Sequence, residues 1–288
     1  MRRSLIPTLC LLLLSSFALA QQPAASPAGL PTEDTVNSFL QQTHGWNPQV
    51  SWKVSSIRPS AVPGLAEVVV IYATPEGQQM SRLFISSDGA HAVIGDVIPF
   101  GAKPFDASRK LLEKGVNGPS RGPKDSPVTI VEFGDLQCPA CKAAQPAIEG
   151  LVASEPTARF VFQNFPLEMH NWAAKGAAYA DCVGRASHEA FFKFLARTYE
   201  SQSDITTENA DEKLAALATE VGLKGPDIAA CTTTPVTKAR VDASVALGKS
   251  VDVSGTPTLF INGRSIGNIG QVPADVLKSL VDFAAKQK

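Results

Sequence analysis

The chain has 288 residues, with 26 Lys and Arg against 27 Asp and Glu and a formal net charge of −1. So balanced a surface offers nucleic acid or anionic lipid no electrostatic attraction, and neither is an expected partner. The length exceeds one typical domain, and 44% hydrophobic residues suffice for more than one core.

The chain opens Met1-Arg2-Arg3, continues with the apolar run LIPTLCLLLL (5–14) and reaches Ala18-Leu19-Ala20. A basic start, a short apolar core and a small-x-small ending predict a signal peptide over 1–20. The run is too short to span a bilayer, which takes about 20 residues. The mature protein is therefore expected to be soluble and periplasmic or otherwise extracytoplasmic. Cleavage removes Arg2, Arg3 and Cys10, which takes the net charge to −3 and leaves Cys138, Cys141, Cys182 and Cys231. In an oxidising compartment four cysteines can form two disulfides, with three connectivities open.

Residues 21–31 (QQPAASPAGLP) read as a flexible Pro/Ala/Ser tether. Thr32 then suits a helix N-cap, with Val36, Phe39 and Leu40 on one apolar face. Four strand patterns follow, at 50–57, 66–73, 80–86 and 91–97, with Ser87-Asp88-Gly89 as a hairpin turn. Residues 32–100 are thus expected to form a small α+β domain. A polar helix (106–115) and the Gly/Pro-rich stretch 117–127 read as a linker over 101–126, an arm followed by a joint.

From 127 to 288 strand and helix signals alternate. PVTIVEF (127–133) is almost continuously apolar, as in a strand buried on both faces. A helix is predicted from about Pro139 to Ala153, then a strand at 158–165, a helical segment at about 170–250, a hairpin around Asn262-Gly263, and a helix at 273–288. The fold class expected is α/β, and this order of elements resembles the thioredoxin-like fold with a helical insertion.

Cys138-Pro139-Ala140-Cys141 falls where the buried strand gives way to a helix. Free N–H groups at a helix start favour a thiolate, so Cys138 is the expected nucleophile. Cys141, one turn further in, is its shielded resolving partner in thiol–disulfide exchange. Pro139 suits the first turn because its missing N–H costs nothing there. Half a zinc site and an inert staple compete with this reading. Zinc needs a second ligand pair, yet Cys182 and Cys231 are far apart and no His stands near either pair in a ligand pattern, so no metal is expected. His44, His91, His170 and His188 are scattered and none is expected to act as base or ligand.

With these residues in view, the sequence resembles the thioredoxin superfamily, and within it the DsbA-like exported oxidoreductases, from about Lys124 to Lys288. CKAAQP (141–146), FPL (165–167) followed by His170, and GTPTLFING (255–263) carry the resemblance. It implies a catalytic site of Cys138 and Cys141 with Pro139-Ala140 as dipeptide, and Glu132 as a buried acid beneath it that takes the proton of Cys141. It also implies a cis Thr256-Pro257 bond whose backbone binds an extended substrate chain, and a second, structural disulfide between Cys182 and Cys231, for which a redox-active shuttle is the rival reading. No cofactor is implied beyond the Cys138–Cys141 disulfide. Segments 54–68 and 83–98 resemble the N-terminal domain of the disulfide isomerases DsbC and DsbG, which implies a homodimer through residues 32–100. The expected activity is oxidation of unfolded exported proteins, with a membrane redox partner resetting the site. A dimeric isomerase or reductase, and a holdase chaperone with an idle CxxC, are the alternatives.

Overall fold

The computed structural model describes residues 30–75, 77–95, 97–267 and 269–287. The expected signal peptide and all of the tether except Leu30 and Pro31 lie outside them. The chain divides into two compact units, Met1–Gly95 and Asp96–Lys288.

In the first unit Thr32 caps helix α1 (Glu33–His44) by accepting the Thr35 N–H at 3.2 Å. Val36 and Leu40, one turn apart, are buried against Val68, Val70 and Leu83. Those partners lie on an antiparallel sheet of β1 (Ser51–Pro59), β2 (Leu65–Thr74), β3 (Gly77–Ser86) and β4 (Ala92–Ile94), paired in that order. Residues two apart on β2 share the helix-covered face, as the period of a strand requires. In the β3–β4 turn the Asp88 carboxylate accepts the Ala90 N–H at 2.9 Å. Strand β4 is shorter than expected because Gly95, at φ 132°, leaves the extended region.

The second unit is built on a sheet ordered β5 (Ser120–Arg121), β7 (Arg159–Asn164), β6 (Thr129–Gly134), β8 (Thr258–Ile261), β9 (Arg264–Ile266). Only β6 and β7 run parallel, joined by the crossover helix α3 (Pro139–Ser154). Helices α4 (Ala173–Ala186), α5 (His188–Glu200), α6 (Ala210–Glu220), α7 (Gly225–Thr232) and α8 (Pro235–Ser250) form the insertion between β7 and β8. Helix α9 (Ala274–Lys286) closes the chain. On one face Ile130, Phe160 and Phe162 pack under α3, α4, α5 and α9; on the other Val131, Phe133, Val161 and Phe260 pack under α8. Alternate residues of one strand thus serve two cores, which is why β6 reads as a continuous apolar run. Gly248 lets α8 close on the sheet, since a Cβ there would stand 2.6 Å from the Phe165 ring.

The segment expected as a linker belongs to this second unit. Helix α2 (Asp106–Gly115) buries Leu112 with Val131, Phe133 and Leu247. Its start lies on the β8–β9 turn, where Gly263 (φ 85°) leaves room for the Phe105 carbonyl and Arg264 stacks 4.4 Å from the Phe105 ring. The expected joint is tied down as well. The Asn117 and Gly118 N–H groups donate to the buried Gln163 side chain at 3.0 and 2.7 Å, and β5 pairs with β7. A helix whose apolar stripe finds a core is no free arm.

Candidate active site

Strand β6 ends at Gly134, and four residues later Cys138 forms the N-cap of α3 with Pro139 at the first helical position. Cys138 is 5% exposed and Cys141 not at all, so only the first sulfur is within reach of a second protein. Both are free thiols in this structure. The Thr256–Pro257 bond is cis, and the Thr256 carbonyl accepts the Cys138 thiol at 3.3 Å. Residues 118 positions apart in sequence thus meet at one sulfur.

Electrostatics separate the two cysteines. The Cys138 thiol is held down to about 6, chiefly by a hydrogen bond from the Cys141 thiol, with the Thr256 side-chain hydroxyl and the Cys141 and Ala140 N–H groups assisting against the upward push of burial. The helix-start donors expected from the sequence are therefore present, but the partner thiol contributes more. Cys141 is pushed well above its ordinary value by burial, then by its hydrogen bond to Cys138 and by the Cys138 and Glu132 charges.

Glu132 is fully buried on β6, with its pKa pushed up to about 8, first by burial and then by the Glu149 charge. Among the described residues neither of its carboxylate oxygens has a hydrogen-bond partner, and the same holds for the buried Tyr199 hydroxyl. A carboxyl so placed stays protonated at neutral pH. Pro146 lies inside α3, where it leaves the Lys142 carbonyl without its helical donor.

Three groups at the site had no role assigned to them from the sequence. Asp135, 2% exposed, accepts the Gln137 and Leu167 N–H groups at 2.8 and 2.9 Å and holds His170 Nδ1 at 2.7 Å. That hydrogen bond, with the Asp135 and Cys138 charges, raises the His170 pKa. Gln202, in the turn after α5, donates to the Leu136 and Cys138 carbonyls at 2.9 and 3.1 Å. Held by Asp135, His170 thus couples its protonation to the Cys138 thiolate. The only sequence signal was its place three residues after FPL. Replacing His170 by Gln is expected to raise the pH midpoint of Cys138 alkylation in the reduced protein, and an unchanged midpoint would remove this coupling.

Cys182 and Cys231 are joined in a disulfide, S–S 1.99 Å, between α4 and α7 of the insertion. Among the described residues no three His, Cys, Asp or Glu side chains converge to hold a metal ion, and no helix is long and apolar enough to cross a membrane.

A family model described as Thioredoxin matches residues 114–282. The chain is 31% identical over 157 residues to a Na(+)/H(+) antiporter NhaA 1 of Salinispora arenicola, covering 50% of this chain but 21% of the antiporter. It thus spans about a fifth of that relative's length. A probable disulfide bond formation protein D of Bacillus anthracis is 26% identical over 175 residues, 58% of this chain and 78% of that protein. The solved thiol-disulfide exchange protein alpha-DsbA2 of Wolbachia pipientis shares the fold, with a TM-score of 0.54 at 21% identity over 64% of this chain and 99% of that one. The family match runs unbroken from the end of α2 through the CPAC turn, the sheet and the helical insertion, and on that extent the chain belongs to the thioredoxin family.

Proposed function

We propose that this chain is an exported thiol–disulfide oxidoreductase of DsbA type that passes the Cys138–Cys141 disulfide to cysteines of secreted proteins. One observation carries the reading: an accessible low-pKa sulfur at the start of α3 stands 3.3 Å from the Thr256 carbonyl, with its partner buried behind it. A substrate thiolate attacks Cys138 Sγ, the Cys138–Cys141 bond breaks, and Cys141 leaves as a thiolate. Glu132, protonated at neutral pH, gives that thiolate its proton. A second substrate thiolate then attacks the substrate sulfur of the mixed disulfide and releases Cys138, whose thiolate the site stabilises. The backbone at Thr256 and Pro257 receives the extended substrate chain as an added strand. The pair of sulfurs is the only redox group the reaction uses, and a membrane redox partner reoxidises it.

Stabilising the reduced form makes a dithiol pair oxidising. A Cys138 pKa near 6 supports net oxidation at an intermediate potential. The test is the redox state of Cys138 and Cys141 trapped in intact cells, read beside oxidative refolding of a reduced substrate protein. A pair held as disulfide, with stoichiometric refolding, supports oxidation. A pair held reduced overturns it in favour of an isomerase or reductase.

The first unit favours that second reading at one point. On the edge strand β4, Val93 and Ile94 are 56% and 61% exposed. Open strand edges with apolar side chains invite pairing, and a second copy joined through residues 32–100 would cover them. Light scattering on the full chain is expected to give the mass of a dimer, reverting to a monomer in Ile94→Lys. A wild-type monomer removes the dimer.

A further inference from the structure

The Cys182–Cys231 bridge, expected as a structural disulfide, has an environment that a purely structural bridge does not need. Arg185 Nη2, on α4, lies 2.9 Å from Cys231 Sγ and 3.5 Å from Cys182 Sγ. The Thr237 hydroxyl, on α8, stands 3.3 Å from Cys182 Sγ and 3.6 Å from Cys231 Sγ, and takes a further Arg185 hydrogen bond at 2.7 Å. Behind them the buried Asp181 carboxylate is shared, through Arg185 Nε at 2.9 Å and Arg240 Nε at 2.7 Å. Because Arg240 shares the Asp181 carboxylate, that carboxylate neutralises Arg185 only in part, and the Arg185 guanidinium faces the sulfurs. A neutral disulfide is a weak acceptor and gains little from it. A thiolate gains a charge-assisted hydrogen bond.

We propose that Cys182–Cys231 is a second thiol-exchange centre, reducible in the folded protein by an external dithiol, whose reduced form is held by Arg185 and Thr237. Access is one-sided: Cys182 is 2% exposed, whereas Cys231 is only partly buried. The incoming thiolate bonds to Cys231 Sγ, the Cys182–Cys231 bond breaks, and Cys182 leaves as a thiolate beside the Thr237 hydroxyl. The second thiolate of the dithiol attacks its own sulfur in the mixed disulfide and releases Cys231 as a thiolate facing Arg185. The dithiol ends as a disulfide, having given two electrons, and its protons pass to solvent or to the released thiolates. The bridge still closes a 49-residue separation and still restrains the unfolded chain. Arg185 sets how easily that restraint is released.

The test uses the full chain with Cys138→Ser and Cys141→Ser, so it does not depend on the function proposed for the first pair. The protein is equilibrated in graded ratios of reduced to oxidised dithiothreitol, acid-quenched, labelled with a maleimide and weighed by mass spectrometry. Near-ultraviolet circular dichroism reports the fold at each ratio. The bridge is expected to open while the native signal remains, and Arg185→Gln is expected to require a ratio about tenfold more reducing. Arg185→Lys, which keeps the charge, is expected to stay near the parent. Reduction that occurs only together with loss of the native signal overturns the proposal, as do equal midpoints for all three proteins. The parent experiment alone decides the first point should the Gln variant not fold.

Discussion

Cys138→Ser is expected to abolish catalysed oxidative refolding and insulin reduction by the Cys138–Cys141 pair, by at least about 10³-fold, because no other sulfur can form the mixed disulfide at this site. Cys141 lies one turn along α3, is wholly buried and has its thiol pushed well above the ordinary value, so it cannot substitute. Cys141→Ser should behave differently. Cys138 still attacks, but nothing resolves the product, and the variant should accumulate a covalent complex with its substrate that survives denaturation and dissolves in dithiol. Wild-type Cys138 is expected to alkylate with a pH midpoint near 6. In Cys141→Ala the thiol donor that contributes most to that low value is lost with no donor in its place, so the midpoint should rise. Residual exchange in Cys138→Ser near the wild-type rate, or alkylation that begins at Cys141, would reverse the assignment. In the reduced protein, Cys138 titration also stabilises the fold: the folded thiol ionises near 6 and the unfolded thiol near 9, so this contribution is present above 9 and is lost as pH falls through 6.

Much of this site was legible because its chemistry is local. Four consecutive residues, Cys138 to Cys141, give the proposed nucleophile, the helix start and the proposed resolving thiol, and the run PVTIVEF before them gives the buried strand that aims them. Thr256 and Pro257 were placed by resemblance, and the structure sets the Thr256 carbonyl on the Cys138 sulfur. What stayed hidden depends on contacts between distant residues. Asp135 and His170 are 35 positions apart, and no periodicity links a loop carboxylate to a histidine beyond the next strand. Helix α2 read as a linker arm because its one buried stripe residue, Leu112, looks no different from an exposed Leu until Val131, Phe133 and Leu247 surround it. Strand β5 spans two residues inside a Gly/Pro-rich stretch, too short for any alternation to show. Arg185 gave no sign at all, since a guanidinium meeting sulfurs from two helices is a tertiary event.

Glu132→Gln is expected to change stability and turnover in opposite directions. The wild-type carboxyl is fully buried without a hydrogen-bond partner among the described residues, and its pKa of about 8 compares with 4.5 for an ordinary glutamate. Below pH 4.5 the folded and unfolded chains both hold the proton, so the group contributes nothing to pH dependence. Between 4.5 and about 8 the unfolded chain releases a proton that the folded chain keeps, and stability falls as pH rises. The slope approaches about 1.4 kcal/mol per pH unit, and the loss above the folded pKa is on the order of 5 kcal/mol. Glutamine has no proton to lose, so its urea midpoint should stay nearly flat across that window and exceed wild type on the alkaline side. These measurements belong on the oxidised protein, in which Cys138 and Cys141 do not titrate. Turnover should move the other way. The leaving Cys141 thiolate loses its proton donor, and the exchange step should slow about ten- to a hundred-fold at neutral pH. In wild type that step should also slow as pH rises through about 8, and in Glu132→Gln this fall should disappear. A variant that gains alkaline stability while keeping the wild-type rate and pH profile would leave Glu132 a buried burden with no part in the proton transfer.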